Sequence, residues 1–95
     1  MELTRLNCED ELTKFYKENC MKDDFLRYLF DECNKRLITF VDSGINYDFD
    51  VFMECEIIFR NYFTYKYNLD ICSIDLSNYF FKSNNLDISD YIYRD

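Results

Sequence analysis

A chain of 95 residues, 48% hydrophobic and 20% aromatic, can bury one core but not two, and with one Gly and no Pro it lacks the composition of a disordered tail. The formal charge of −8 is spread over 19 acidic and 11 basic residues with no His. That excludes Ser–His and Cys–His nucleophilic pairs and mixed Cys/His zinc sites, and a single Gly excludes a glycine-rich phosphate loop.

The first segment, from about Cys8 to Met21, reads as a helix. Asn7 can cap it, Glu9, Asp10 and Glu11 suit its positive end, and Leu12, Phe15, Tyr16 and Cys20 form an apolar stripe. A second helix is expected from Asp24 to Val41, capped by Asp23 or Asp24. Leu26, Leu29, Phe30, Cys33, Leu37, Phe40 and Val41 fall on one side of it. Ser43-Gly44 ends it, because glycine takes a left-handed conformation without cost. Asp48 is the expected cap of a third helix from Phe49 to Thr64. Its core face is Val51, Phe52, Cys55, Ile58, Phe59, Tyr62 and Phe63, and its outer face is Asp50, Glu54, Glu56, Arg60 and Asn61.

Beyond Thr64 the pattern changes. Tyr65, Tyr67, Leu69 and Ile71 alternate with polar residues as a strand would, with no evident partner. A helix from Ile74 to Lys82 (cap Ser73) and a short one from Ile88 to Tyr93 (cap Asp87) complete the chain. Asn68-Leu69-Asp70-Ile71 recurs as Asn85-Leu86-Asp87-Ile88, which two similar turns at helix ends explain as well as a repeat. The expected architecture is one all-α domain over residues 1–95, a compact bundle of four to five helices. The alternative is α+β, with a helical N-terminal half and strands near Leu37–Val41 and Ile45–Val51 in a small antiparallel sheet.

The five cysteines lie at least twelve positions apart, so no C-x-x-C pair exists, and they are expected reduced and packed as small apolar side chains. The N-terminus lacks a basic, apolar leader and the apolar runs are too short to cross a bilayer. A complete cytoplasmic protein is the expectation, in a host cell's cytoplasm if viral. Ala, Gln, His, Pro and Trp are absent, while Asn, Asp, Ile, Lys, Phe and Tyr abound. This suggests an AT-rich genome, as in many phages, large DNA viruses and low-GC bacteria.

The charge is local. Between Asp42 and Phe59 stand Asp42, Asp48, Asp50, Glu54 and Glu56 with no basic residue, whereas elsewhere the two signs nearly cancel. Like charges four apart, as in Asp50 and Glu54, cost an isolated helix roughly 0.2–0.5 kcal/mol. The stretch from Asp42 also approaches a calcium-loop spacing, but Tyr47 replaces the required Gly and Glu54 falls one place late. No metal, cofactor or catalytic residue is expected, and scattered Lys and Arg argue against direct nucleic-acid binding.

In size, acidity and lack of motifs the chain resembles phage-encoded anti-CRISPR proteins and nucleic-acid mimics. The likeness implies a non-enzymatic inhibitor whose acidic surface blocks a nucleic-acid-handling defence enzyme by occupying its basic groove. The expected contact residues are Asp42, Asp48, Asp50, Glu54 and Glu56, with Tyr47 as an aromatic anchor. The competing reading is an adaptor for a host signalling protein, or a homodimer, using exposed Tyr65, Tyr67, Tyr91 and Ile92.

Overall fold

Helix ends in this chain are set by short polar side chains and by two asparagines and a glycine in the left-handed region. The computed structural model describes residues 2–92 and has the order β1 (Thr4–Arg5), α1 (Glu9–Asn19), α2 (Asp24–Ser43), α3 (Asn46–Tyr67), β2 (Leu69–Asp70), α4 (Leu76–Ser83) and a 3-10 turn at Ile88–Asp90. The mainly helical bundle is borne out. The antiparallel alternative is not, because the segments proposed as its strands lie inside α2 and at the start of α3.

α1 starts after Cys8 rather than under an Asn7 cap, and no side chain caps it in the usual sense. Instead Glu11 reaches back, its Oε1 accepting from the Asn7 N–H at 3.1 Å and from Cys8 Sγ at 3.5 Å, which secures the chain just ahead of the helix. α2 has Asp23 as its cap, with Oδ1 taking the Leu26 N–H at 3.1 Å. It ends at Gly44, φ 68°, whose N–H returns to the Phe40 carbonyl. α3 begins at Asn46, not Phe49, with Ile45 at the cap position. Asp48 is therefore inside the helix, and its Oδ2 accepts from the Ser43 hydroxyl at 2.5 Å, tying the α2–α3 connection together.

The α3 helix also runs past Thr64 to Tyr67, so the expected strand shrinks to Leu69–Asp70. Its partner is the N-terminal pair Thr4–Arg5, in parallel register Thr4↔Leu69 and Arg5↔Asp70. α4 is capped by Asp75, not Ser73, through the Asn78 N–H at 3.1 Å. The last expected helix is a single 3-10 turn capped by Asp87, and Tyr93 lies outside the described residues.

The duplicated Asn-Leu-Asp-Ile string has a local cause. Asn68 (φ 54°) and Asn85 (φ 58°) both turn the chain away from a helix in the left-handed conformation. Two residues on, Asp70 and Asp87 each accept a backbone N–H, from Cys72 and Ser89, both at 3.0 Å. The isoleucines that follow, Ile71 and Ile88, are buried. The string is one helix-exit device used twice.

The core is aromatic. Phe52, Phe59 and Phe63 of α3 are fully buried with Phe80 and Phe81 of α4. Phe80 sits 5.3 Å from both Phe30 and Phe59, and Phe52 lies 6.0 Å from Phe80 and 6.3 Å from Phe81, mostly edge to face. Leu26, Cys33 and Leu37 of α2 close the other side, and Leu12 and Cys20 bring in α1. Among the cysteines, Cys20 and Cys33 are buried as expected, Cys55 is half-buried, and Cys8 and Cys72 are exposed; all five are free thiols.

One polar node fastens the ends of α1, α2 and α3. The Asp23 carboxylate accepts from Tyr67 Oη at 2.6 Å, Tyr62 Oη at 2.9 Å and Lys66 Nζ at 2.9 Å, besides the Leu26 N–H. Lys66 Nζ also lies 5.6 Å and 5.7 Å over the Tyr62 and Tyr67 rings. Burial alone would raise the Asp23 carboxyl. The Tyr67 hydroxyl, the Lys66 ammonium, the Leu26 N–H and the Tyr62 hydroxyl outweigh it and hold the group well below the usual carboxylate range. Its contribution is therefore complete above an unfolded value of about 4 and is lost as pH falls below that. Asp23→Asn is expected to lower unfolding free energy at pH 7 by about 2–3 kcal/mol, in urea titrations followed by circular dichroism. The deficit should shrink once pH drops under about 4.

Candidate functional site

Which face of α3 reaches solvent follows from how its buried face is chosen. Phe52, Glu56, Phe59 and Phe63 recur at spacings of four, three and four and form the inner stripe. This stripe is rotated by roughly 60° from the core face that the sequence pattern predicts. α4 causes the rotation, because Phe80 and Phe81 offer a second packing surface on the Phe52 and Phe59 side. Two side chains change places as a result. Ile58, expected in the core, is 52% exposed, and Glu56, expected on the acidic surface, is only 4% exposed.

The other expected contact residues separate into two groups. Asp42, Tyr47, Asp50 and Glu54 are exposed, Tyr47 to 72%. Asp48 is half-buried and engaged by Ser43, so it is part of the interhelical connection. The five carboxylates thus do not form one patch. Asp50 and Glu54 remain together, four apart on α3, and Asp42 belongs to the last turn of α2. The calcium-loop spacing also dissolves, since residues 46–54 are continuous helix and cannot wrap an ion. Among the described residues no three His, Cys, Asp or Glu side chains come together as potential metal ligands. No helix among them is long and apolar enough to cross a membrane.

What joins Asp50 and Glu54 on the outer face of α3 is apolar. Ile57, Ile58 and Tyr65 are exposed, Tyr65 to 88%. From α2, Phe25 and Tyr28 are exposed beside them, stacked on each other at 6.2 Å, with Phe25 resting on Tyr62 at 5.1 Å. Ile58 is the hinge of this surface. It lines a shallow apolar depression with Phe25, Tyr62 and Tyr65, and also a groove of about 210 Å³ with Tyr28, Arg36, Glu54 and Cys55. Arg36 is the cation in that groove, and it is held by Glu32 on its own helix at 3.6 Å. Its Nε is buried and makes no hydrogen bond.

The aromatics expected to serve an apolar interface behave unequally. Tyr65 qualifies. Tyr91 is also exposed, its ring 5.8 Å from Phe81, whereas Tyr67 is half-buried with its hydroxyl on Asp23 and Ile92 packs on the core. Phe25 and Tyr28 were missed because they open α2 in register with neither stripe. Their exposure follows from Leu26 and Leu29, each the next residue in the chain, taking the inward positions.

Glu56 is a site of another kind. Its Oε1 is buried without a hydrogen-bond partner, while the neighbouring Ser77 hydroxyl is directed to Met53 Sδ at 3.5 Å. Burial pushes the carboxyl up to about 7; Asp75 adds to the rise, while Ser77 and Arg60 oppose it. An acid raised in the folded state is neutral at no cost below its unfolded value of about 4.3 and destabilises progressively up to pH 7.

No family model matches the sequence, and no curated protein or solved structure does.

Two outcomes follow from this arrangement. Ile58→Ser and Tyr65→Ser should each change unfolding free energy by less than about 0.5 kcal/mol, since neither side chain packs the core. Glu56→Gln should leave stability near pH 4 unchanged but raise it by about 3 kcal/mol at pH 8, with thermal melts at both values as the check.

Proposed function

We propose that the chain is a non-enzymatic protein-binding inhibitor that presents the outer face of α3 to a basic surface on another protein. The target is of the kind that grips nucleic-acid phosphates, and occupying it blocks access to the nucleic acid. The observation that carries this reading is the composition of that face. Tyr47, Asp50, Glu54, Ile58 and Tyr65 set carboxylates among exposed apolar side chains, and the stretch from Asp42 to Phe59 supplies no Lys or Arg to neutralise them.

Each component has a physical role. Exposed carboxylates steer a cationic surface and fix its register, and they lose that effect as salt screens them. Aromatic and branched side chains beside them provide anchors that gain from desolvation. Charge also weighs against self-pairing through this face, since two copies would set Asp50 and Glu54 near their own images. A virus or phage origin accords with the composition, and a cytoplasmic site of action accords with the free cysteines.

A second reading is supported by Phe25 and Tyr28. Together with Ile58 and Tyr65 they form an apolar surface on which an adaptor contact to a signalling protein would depend little on charge. Immobilised protein and lysate of a cell carrying the target distinguish the two. Retained nucleic-acid-binding proteins should elute with added DNA or RNA and weaken at least tenfold between 50 mM and 500 mM salt, by order of magnitude. Asp50→Lys combined with Glu54→Lys should abolish retention while helical circular dichroism is unchanged. Retention that survives both the salt and the reversals, but is lost in Phe25→Ser/Ile58→Ser, would replace this proposal with the adaptor reading.

A further inference from the structure

Glu56 is the one carboxylate of the acidic stretch that faces inward, and its surroundings come from three helices. Cys33 approaches from α2, Asp75 and Ser77 stand at the start of α4, and Arg60 follows one turn later on α3. Burial keeps the Cys33 thiol protonated, so it offers the carboxyl no charge. Arg60 is already in use. Its Nη1 donates to the Ile71 carbonyl at 2.9 Å and its Nη2 to the Ile74 carbonyl at 3.5 Å. Those two bonds hold the segment that leads from β2 into α4, and α4 in turn lays Phe80 and Phe81 over Phe52 and Phe59.

We propose that Glu56 is a proton-operated latch for the segment from Ile71 to Ser83. With the carboxyl protonated, the group is neutral, Arg60 keeps the Ile71 and Ile74 carbonyls, and α4 stays closed over the aromatic core. Loss of the proton leaves a buried carboxylate with an unpartnered Oε1. A Glu four residues ahead of an Arg on one helix is the favourable orientation for an ion pair. The carboxylate then competes with the two carbonyls for the guanidinium, and buried charge draws water under the start of α4. Both effects act on the same short element. Burial of Glu56 raises its carboxyl to about 7.

Hydrogen–deuterium exchange of the full chain, corrected for intrinsic rates, tests this at pH 5.5 and 8.5. In the wild type, amides of α4 should lose about tenfold or more protection at the higher pH beyond the loss shared with amides in the middle of α2, which report global unfolding. Glu56→Gln should hold α4 protected at both values. Arg60→Gln should leave it open at both, which separates release of the carbonyls from a general effect of charge. Equal loss of protection in α2 and α4, or the same loss in Glu56→Gln, would overturn the latch. So would a carbon-13 titration in which the Glu56 carboxyl ionises with the exposed glutamates.

Discussion

Stacking of the α4 phenylalanines on one side of α3 is the constraint from which the rest of the molecule follows. Phe80 and Phe81 meet Phe52 and Phe59 at ring separations of 5.3 to 6.3 Å, and this contact settles the rotation of a helix that could otherwise face α2 alone. Burying a phenyl ring is worth roughly 1.5–3 kcal/mol, so several such rings outweigh the cost of taking one carboxyl out of water. Glu56 goes in because Phe52 and Phe59 go in on either side of it. Ile58 comes out for the same reason, and the outer face of α3 becomes a mixture of acid and apolar groups.

Two features of the chain then share one origin. The exposed surface around Ile58 and the buried acid at Glu56 are opposite consequences of a single rotation of α3. A helix packed only on α2 would have hidden Ile58, left Glu56 beside Glu54, and produced a more acidic and less apolar surface. The Asp23 node works at the far end of the same helix. By gathering Tyr62, Lys66 and Tyr67 on one carboxylate, it uses the polar groups that would otherwise make the end of α3 a polar surface. Tyr65, pointing the other way, stays free to extend the apolar region.

Much of the fold was legible in the sequence, and the parts that were not have physical reasons. The α2 stripe from Leu26 to Phe40 is regular over several turns, and Asp23 and Gly44 mark its ends with side-chain chemistry that acts locally. The end of α3 was misjudged because Tyr65, Tyr67 and Leu69 alternate by chance across a helix terminus. The true terminator is Asn68, a residue whose left-handed preference competes with many other roles. The β1–β2 pair joins positions more than sixty residues apart, a contact that no local pattern encodes. Among the site residues, Tyr47, Asp50, Glu54 and Asp42 were placed on the surface as expected. Asp48 and Glu56 were not, since a bond to Ser43 and packing under α4 are both tertiary events.

Contact with another protein through the outer face of α3 is the proposal on which the functional reading rests. Placing a photo-crosslinking phenylalanine analogue at Tyr47 or Tyr65, with Ser83 on the exposed side of α4 as the control, reads that face directly in cells expressing the chain. The same crosslinked protein band is expected from Tyr47 and Tyr65 and none from Ser83. A band from Ser83 with neither α3 position reacting would contradict it and move the contact to α4.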